Sequence, residues 1–394
     1  MKKVMILGAS ATQVPLIKCA KRLGYKTYVA SIPGEYPGFS IADVCVFQNT
    51  TNKEAILEIC KREKIDGICT TGTDVAVRSI GFVNSHLGLC GITEESAINV
   101  TDKAKMKQVM WQEGVRTAEF IIAYSFEDAC SAADKIGYPV MIKTVDQAAS
   151  KGITKVTERS QMAEAYENAR YWTRKEYIVV EKYLEGEEIG LDGYVDAAGV
   201  VTLFLHNKIT YDNGKTHVPI GHSVPFRITD ENLLNDISTV AKACVAAMKL
   251  KSVFFNMDLM LCGSKAYVIE IGGRTGSTCI PDMLSEFCGF DYYEKILQNS
   301  LGYHIDVQYE HRGACAAGFL RANRSGVLKS VDIPSFQQEI SYEIDVKPGE
   351  YIKTFSLGAD RIGQIVCLGE NLDVAESLFH KAHEIILKGL MYEQ

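Results

Sequence analysis

The chain has 394 residues, enough for two or three domains, and its 47% apolar and 23% charged content is ordinary for a water-soluble globular protein. A formal net charge of −7 argues against a nucleic-acid surface, and no apolar run reaches the ~20 residues that cross a bilayer, so neither nucleic acid nor membrane is expected as a partner. Twelve cysteines without one Cys-x-x-Cys pair sit singly in apolar patterns, as at Cys45, Cys69 and Cys244. They read as reduced thiols rather than a disulfide framework or a zinc site, which points to the cytoplasm.

In chain order, the opening Met-Lys-Lys-Val-Met-Ile-Leu-Gly reads as a first strand, because its apolar run is too short for a signal peptide and a glycine turn follows at once. Val14, Leu16, Ile17, Ala20 and Leu23 follow at helical spacing, and Lys26–Ala30 is a second strand. Only Gly8 of a G-x-G-x-x-G fingerprint is present, and Ser31 stands where an acid would hold a ribose, so dinucleotide binding is not expected. Strands at Val44–Phe47 and Gly67–Thr70 and helices at Lys53–Glu63 and Asp74–His86 complete a parallel, Rossmann-like domain over residues 1–92.

One helix is expected over Thr93–Glu113. Then come the strand Thr117–Ala123, the helix Phe126–Ile136 and the strand Tyr138–Lys143, a small-residue loop over Thr144–Thr154, the helix Ser160–Trp172 and the strand Tyr177–Tyr183. A turn at Gly186 leads to strands at Leu191–Val195 and Val200–Leu205, and His206–Val224 reads as a long irregular loop. Asp230–Lys249 is an amphipathic helix and Asp282–Gly302 is helical. Residues 313–394 read as a small mixed sheet with a final helix, Asp373–Leu390. The expected class is thus α/β and α+β, with residues 93–312 forming a second, two-lobed domain (small lobe about 115–185) and 313–394 a C-terminal subdomain.

The stretch Val253–Thr278 reads as a β-hairpin in which each apolar strand carries one acid, Asp258 and Glu270. A three-residue loop, Gly263–Lys265, places the two directly across from each other; a two-residue loop would send them to opposite faces. This register groups Tyr267, Ile269 and Ile271 on one face and Val268 with Glu270 on the other. Facing like charges repel. They are either solvated at an edge or neutralised by a hard cation with oxygen ligands, magnesium above all when a phosphate shares it.

Four features stand in order: Asp102-Lys103 at a helix head, Lys143 ending a strand before Ser150-Lys151-Gly152, the run Glu181-Lys-Tyr-Leu-Glu-Gly-Glu-Glu188, and the acidic hairpin ending Glu270-Ile-Gly-Gly-Arg274. Together they resemble the ATP-grasp superfamily, and within it the carboxylate–amine ligases. The chain looks like the L-amino acid ligases and, more distantly, biotin carboxylase. The resemblance implies a pre-ATP-grasp domain, a two-lobed grasp domain and a C-terminal subdomain.

It also implies roles. Lys103 and Lys143 match lysines that contact nucleotide phosphates, and Ser150, Lys151 and Gly152 match the phosphate lid. Glu181, Lys182, Tyr183 and Leu184 match the segment that holds adenine, and Glu188 matches the ribose-binding acid. Asp258 and Glu270 match carboxylates for Mg²⁺, with Mn²⁺ an alternative. Arg274 matches the arginine that binds the substrate carboxylate and the charge that develops on it. Lys208, His222, Thr275 and Gly276 fall on the substrate side; a solvated lysine and a strand-end histidine are the plainer reading of the first two. Cys279 is expected to pack rather than react. One position departs from the pattern: many relatives carry Asn two residues after the second acid as a further metal ligand, and here Gly272 stands there.

The resemblance implies an ADP-forming carbon–nitrogen ligase that joins a small-molecule carboxylate to an amine, an amino acid among them, through an acyl phosphate. A carboxylase or purine-pathway ligase of the same superfamily, or a catalytically inactive ATP-binding regulator, are the alternatives. The family also makes a homodimer an expectation, although no residue here shows it.

Overall fold

Four short strands open the chain: β1 (Lys3–Leu7), β2 (Lys26–Ser31), β3 (Val44–Phe47) and β4 (Gly67–Cys69). They run parallel in the order β3-β2-β1-β4, and helices between them cover both faces. Val4 and Ile6 pack with Leu16 and Ile17 of the helix Val14–Arg22 on one side. Met5 and Leu7 pack with Ile56 and Ile80 on the other. The computed structural model describes residues 1–394 apart from 148–150, 213–216, 309, 310, 312, 337, 338, 357 and 394.

The single helix expected over 93–113 is two, Glu94–Thr101 and Lys103–Gln112. Asp102 leaves helical geometry (φ −124°, ψ 109°), and its carboxylate accepts from the amides of Ala104 (3.1 Å) and Lys105 (3.2 Å). It therefore caps the second helix and sets Lys103 at its first position. The helix expected over 282–302 divides likewise into Ile280–Cys288 and Tyr292–Ser300, with Gly289 between them in the left-handed region (φ +71°).

Strands β5 (Phe120–Ala123), β6 (Val140–Lys143), β7 (Ile153–Val156) and β8 (Ile178–Lys182) form an antiparallel sheet in the order β5-β8-β6-β7. Ile142, Ile178 and Val180 pack under the helices Phe126–Ile136 and Met162–Trp172. On the opposite face Val179 meets Ala104 and Val145. Alternation puts Glu181 on that face with Val179, and Lys143 is the cross-strand partner of Val179.

Next come β9 (Glu187–Val195), β10 (Val201–Asp212), β11 (His217–Val224), β12 (Val253–Cys262) and β13 (Lys265–Gly272). The segment 206–224, expected as an irregular loop, is instead an antiparallel hairpin of β10 and β11. Polar residues are consecutive at His206–Lys208, and His206, His222 and Ser223 are buried, so no apolar alternation marks the strands in the sequence.

The last strands are β14 (Ala314–Arg321), β15 (Gly326–Val331), β16 (Ile340–Ile344), β17 (Tyr351–Ile352), β18 (Arg361–Gly369) and β19 (Leu390–Tyr392). They do not make one small sheet. β14, β18 and β16 extend the central sheet to eight strands, β13-β12-β9-β10-β11-β14-β18-β16, while β17-β15-β19 stand apart. Ala314–Leu320 is buried throughout, so β14 needs partners on both edges and cover on both faces. Phe379 and Ile386 of the helix Leu372–Lys388 cover one face, and Ile280, Met283 and Leu284 cover the other.

The β12–β13 hairpin corrects the expected turn. Cys262 pairs with Lys265, so the loop is the two residues Gly263 and Ser264. A bulge follows, since Leu259 pairs with Val268 but Asp258 pairs with Glu270. The extra residue, Ile269, shifts the register by one, and Asp258 and Glu270 end up opposite each other after all. The buried set of β13 becomes Ala266, Val268 and Ile271, rather than Tyr267, Ile269 and Ile271.

Candidate functional site

Asp258 and Glu270 lie on one face of the central sheet, and each holds an ammonium group. Lys103 Nζ is 2.7 Å from Glu270 Oε2, and Lys208 Nζ is 2.7 Å from Asp258 Oδ1. Lys103 depresses the Glu270 pKa; burial raises that of Asp258 against the pull of Lys208. Burial also disfavours charge on Lys103 and Lys208, but their acidic partners outweigh it and raise both. The two carboxylates are thus a cation-seeking pair, and this donor set fits a hard metal ion. Among the described residues no group of three His, Cys, Asp or Glu side chains converges on one point, so the pair is an open site rather than a closed cage.

Lys208 is on β10, not in a loop, and its ammonium bridges Asp258 and Glu188 (2.5 Å). It reaches across β9 at Gly190, which pairs with both Asp258 and His206. A Cβ at Gly190 would fall 1.9 Å from His206 Cε1, so glycine makes room for that ring. His222, paired with Lys208 across the hairpin, is buried with its ring 4.5 Å from that of His206. Burial and the neighbouring imidazole push the His222 pKa well below its ordinary value, which leaves it neutral.

Glu181 is fully enclosed between two lysines. Its Oε1 accepts from Lys107 Nζ and its Oε2 lies by Lys143 Nζ, each at 2.9 Å. Burial alone would raise the Glu181 pKa, but the lysines lower it; burial lowers that of Lys107. Lys107 also donates to Thr117 Oγ1 (2.6 Å), which donates to the Val268 carbonyl (2.7 Å). One chain of polar contacts therefore links β13, the helix Lys103–Gln112 and the antiparallel sheet.

The remaining expected residues are distributed around this junction. Lys182 points to the other side of β8 and donates to the Gly137 carbonyl (2.7 Å). The Tyr183 amide bonds the Pro139 carbonyl (3.1 Å), and Lys155 lies 3.6 Å over its ring. Leu184 is half-buried beside it. Lys151 is exposed, 5.2 Å from the Trp172 ring, and Gly152 is buried at φ +67°. A Cβ at Gly152 would meet Thr144 Cγ2 at 2.3 Å. Ser150 lies outside the described residues.

Arg274 is pinned by Asp74, Nη2 to Oδ2 at 2.5 Å. Burial opposes its charge, and Asp74 more than restores it. Asp74 also accounts for Gly272: a Cβ there would sit 3.0 Å from Asp74 Oδ1 and 3.5 Å from Arg274 Cζ. The room that an Asn side chain would need is taken by this pair. Thr275 and Gly276, expected on the substrate side, turn inward instead. The Thr275 hydroxyl (2.9 Å) and the Gly276 amide (2.8 Å) both donate to buried Asp192, which also accepts from Asn256 (2.7 Å). Cys279 is buried, and burial raises its thiol pKa well above the usual value.

Asp74, Lys107, Asp192 and His206 are absent from the sequence-based set. Lys107 had a signal, one helical turn after Lys103 on the same face. Asp192 had the same signal as Asp258, a lone acid in an apolar strand. Nothing near Asp74 marks it. A cavity of about 470 Å³ joins Lys103, Glu270, Asn256 and Arg274 to Asp74 and Arg78.

Residues 136–282 match the family described as the ATP-grasp domain. The carbamoyl phosphate synthase large chain of Clostridium beijerinckii is 22% identical over 399 residues, covering 95% of this chain but 34% of its own, so the chain spans about a third of that relative's length. The phosphoribosylglycinamide synthetase structure from Anaerococcus prevotii superposes with a TM-score of 0.83 and 26% identity, over 100% of this chain and 99% of that one. The L-amino acid ligase structure from Bacillus licheniformis superposes with a TM-score of 0.82 and 18% identity, over 100% and 99%. No helix among the described residues is long and apolar enough to cross a membrane. The facing carboxylates Asp258 and Glu270, together with Lys143, Glu181 and Lys208, all fall inside the segment 136–282 that matches the ATP-grasp domain.

Proposed function

We propose that the protein is an ATP-dependent carboxylate–amine ligase. A substrate carboxylate oxygen attacks the γ-phosphorus of ATP, the bond to the bridging oxygen breaks, and an acyl phosphate and ADP result. An amine then adds to the acyl carbon, phosphate leaves, and the amine gives up a proton as the amide forms. The observation that carries this reading is Asp258 facing Glu270, with Lys103, Lys208 and Arg274 around them.

Asp258 and Glu270 would hold Mg²⁺, which when bound neutralises charge on the phosphates. Lys143 and Lys103 would contact phosphate oxygens. Glu181, clamped by Lys107, fixes the direction of Lys143. The backbone of Tyr183 and Leu184 would meet adenine, Glu188 the ribose hydroxyls, and the loop at Lys151 and Gly152 would close over the phosphates. Arg274 would hold the reacting carboxylate, its planar fork oriented by Asp74. This role needs no protein nucleophile.

An amino acid ligase is supported by the likeness to the L-amino acid ligase fold. A purine-pathway ligase is the second reading, favoured by the 26% identity to a phosphoribosylglycinamide synthetase. ADP release screened across amino acids, other carboxylates and amines tests both. Asp258→Asn and Glu270→Gln should each abolish release with the circular dichroism spectrum unchanged; full turnover by either variant would remove the pair from the mechanism.

A further inference from the structure

The cavity beside Arg274 carries more positive charge than the reacting groups explain. Five cationic side chains line it (Arg78, Lys103, Arg174, Lys175 and Arg274) against three carboxylates (Asp74, Asp146 and Glu270). Two of the cations are already matched, Lys103 by Glu270 at 2.7 Å and Arg274 by Asp74 at 2.5 Å. The third carboxylate, Asp146, is occupied by the Thr173 hydroxyl (2.8 Å) and the Arg174 amide (3.0 Å).

Arg78, Arg174 and Lys175 are left over. Arg174 and Lys175 have no carboxylate within 4.0 Å among the described residues. Arg78 donates to Thr101 (2.7 Å) and comes no closer than 3.8 Å to Asp102, whose carboxylate already accepts from Tyr177 and two helix amides. The backbone that carries Arg174 and Lys175 is also held in place. The turn that presents Arg174 and Lys175 is braced by Asp146, by the Lys175 amide on Thr173 Oγ1 (3.1 Å) and by Arg170 on the Lys175 carbonyl. Arg78 comes from a separate element, the helix Val77–Leu87. Two unpaired cations on a braced turn and a third with only a long contact to Asp102, all lining one cavity, make a receptor for an anion, with the backbone already ordered before binding.

We propose that Arg78, Arg174 and Lys175 form an anion subsite for a second negative group, a phosphate monoester or a carboxylate, carried by one of the two substrates at the end remote from Arg274. The inference rests on the ligase reading, because Arg274 is assigned the reacting carboxylate. It narrows the substrate class: one substrate is at least a dianion, or an amine that bears a distal acid.

The full-length protein is saturated with Mg²⁺ and a non-hydrolysable ATP analogue, so that the nucleotide phosphates are already in place. Inorganic phosphate and, separately, succinate are then titrated by calorimetry into wild type, Arg78→Gln and the double variant Arg174→Gln/Lys175→Gln. The three side chains are at least partly exposed, so the variants should fold. Phosphate is expected to bind the wild type and to weaken at least tenfold in the double variant, while affinity for the analogue stays within twofold. Succinate binding in place of phosphate assigns a carboxylate. Equal anion binding in all proteins, or none in the wild type, overturns the subsite. A parallel loss of analogue affinity also overturns it and hands these cations to the nucleotide. Failure of the wild type to bind the analogue at all counts against the ligase reading itself, whatever the anions do.

Discussion

Lys107 and Glu181 are 3% and 4% exposed, and their pairing should dominate the stability of the junction between β13, the helix Lys103–Gln112 and the antiparallel sheet. Lys107→Met removes two buried hydrogen bonds, to Glu181 and to Thr117, but leaves Glu181 with Lys143. A bond to a charged group contributes roughly 1.5–3 kcal/mol, and deleting a buried ammonium returns part of its desolvation cost, so a loss of about 2 kcal/mol is expected. Glu181→Gln should cost more, about 3–5 kcal/mol, because it strands two ammonium groups facing one amide. The double variant decides the matter. In the Glu181→Gln background, Lys107→Met removes one stranded charge, so the double variant should be no less stable than Glu181→Gln alone. Urea unfolding followed by far-ultraviolet circular dichroism at pH 7 measures all three. Losses that simply add would refute the idea that the three side chains share one buried charge balance.

Gly272→Asn tests why the metal-ligand Asn of many relatives is missing. Its side chain would press on Asp74 and Arg274, and displacement of the clamp should lower kcat/KM for the carboxylate substrate by roughly 10²-fold, with the circular dichroism spectrum unchanged; an unaltered kcat/KM would show that the site tolerates both. Asp236 should carry acid sensitivity. It accepts from Arg116 (2.6 and 3.1 Å), Lys265 (3.1 Å) and the Ala266 amide (2.8 Å). Burial works against its charge, but these donors outweigh it and lower its pKa from 3.8 to about 2. A depressed carboxylate stabilises the fold above its unfolded pKa and loses that contribution as pH falls through the folded value. Asp236→Asn should therefore flatten the stability–pH curve between 3.8 and about 2, read from urea midpoints; an unchanged slope there would assign the effect elsewhere.

Much of this architecture was legible because it rests on local signals. The parallel N-terminal strands are short apolar runs bounded by glycine and helical spacing, and they stand where expected. Lys143, Glu181, Asp258 and Glu270 are charges inside apolar strands, which is why each stood out. What escaped the sequence depends on partners distant along the chain. Asp74 gains its meaning from Arg274, two hundred positions later. The 313–394 strands read as a separate sheet because nothing local says that β14 pairs with β11. By sequence Lys208 falls on the substrate side and Glu188 matches the ribose-binding acid, each separately from Asp258, and only the sheet order brings the three onto one another.

The acidic hairpin shows how a correct placement can follow from an incorrect turn. A two-residue loop is the tighter connection for the strands, and it starts β13 in the register that buries Ala266 and Val268. Continued unbroken, that register would turn Glu270 away from Asp258. The bulge at Ile269 switches faces once, so that Ile271 returns to the core and Glu270 comes opposite Asp258. Turn geometry and core packing thus set the first half of the strand, and the charge pair sets the second. The bulge sits where the two demands meet, between the last core residue before the site and the first carboxylate in it. Deleting Ile269 should therefore remove the bulge and keep the hairpin with Glu270 still opposite Asp258 and Ile271 still in the core, so metal-dependent ADP release should survive; loss of release in a folded variant would show that the bulge itself shapes the site.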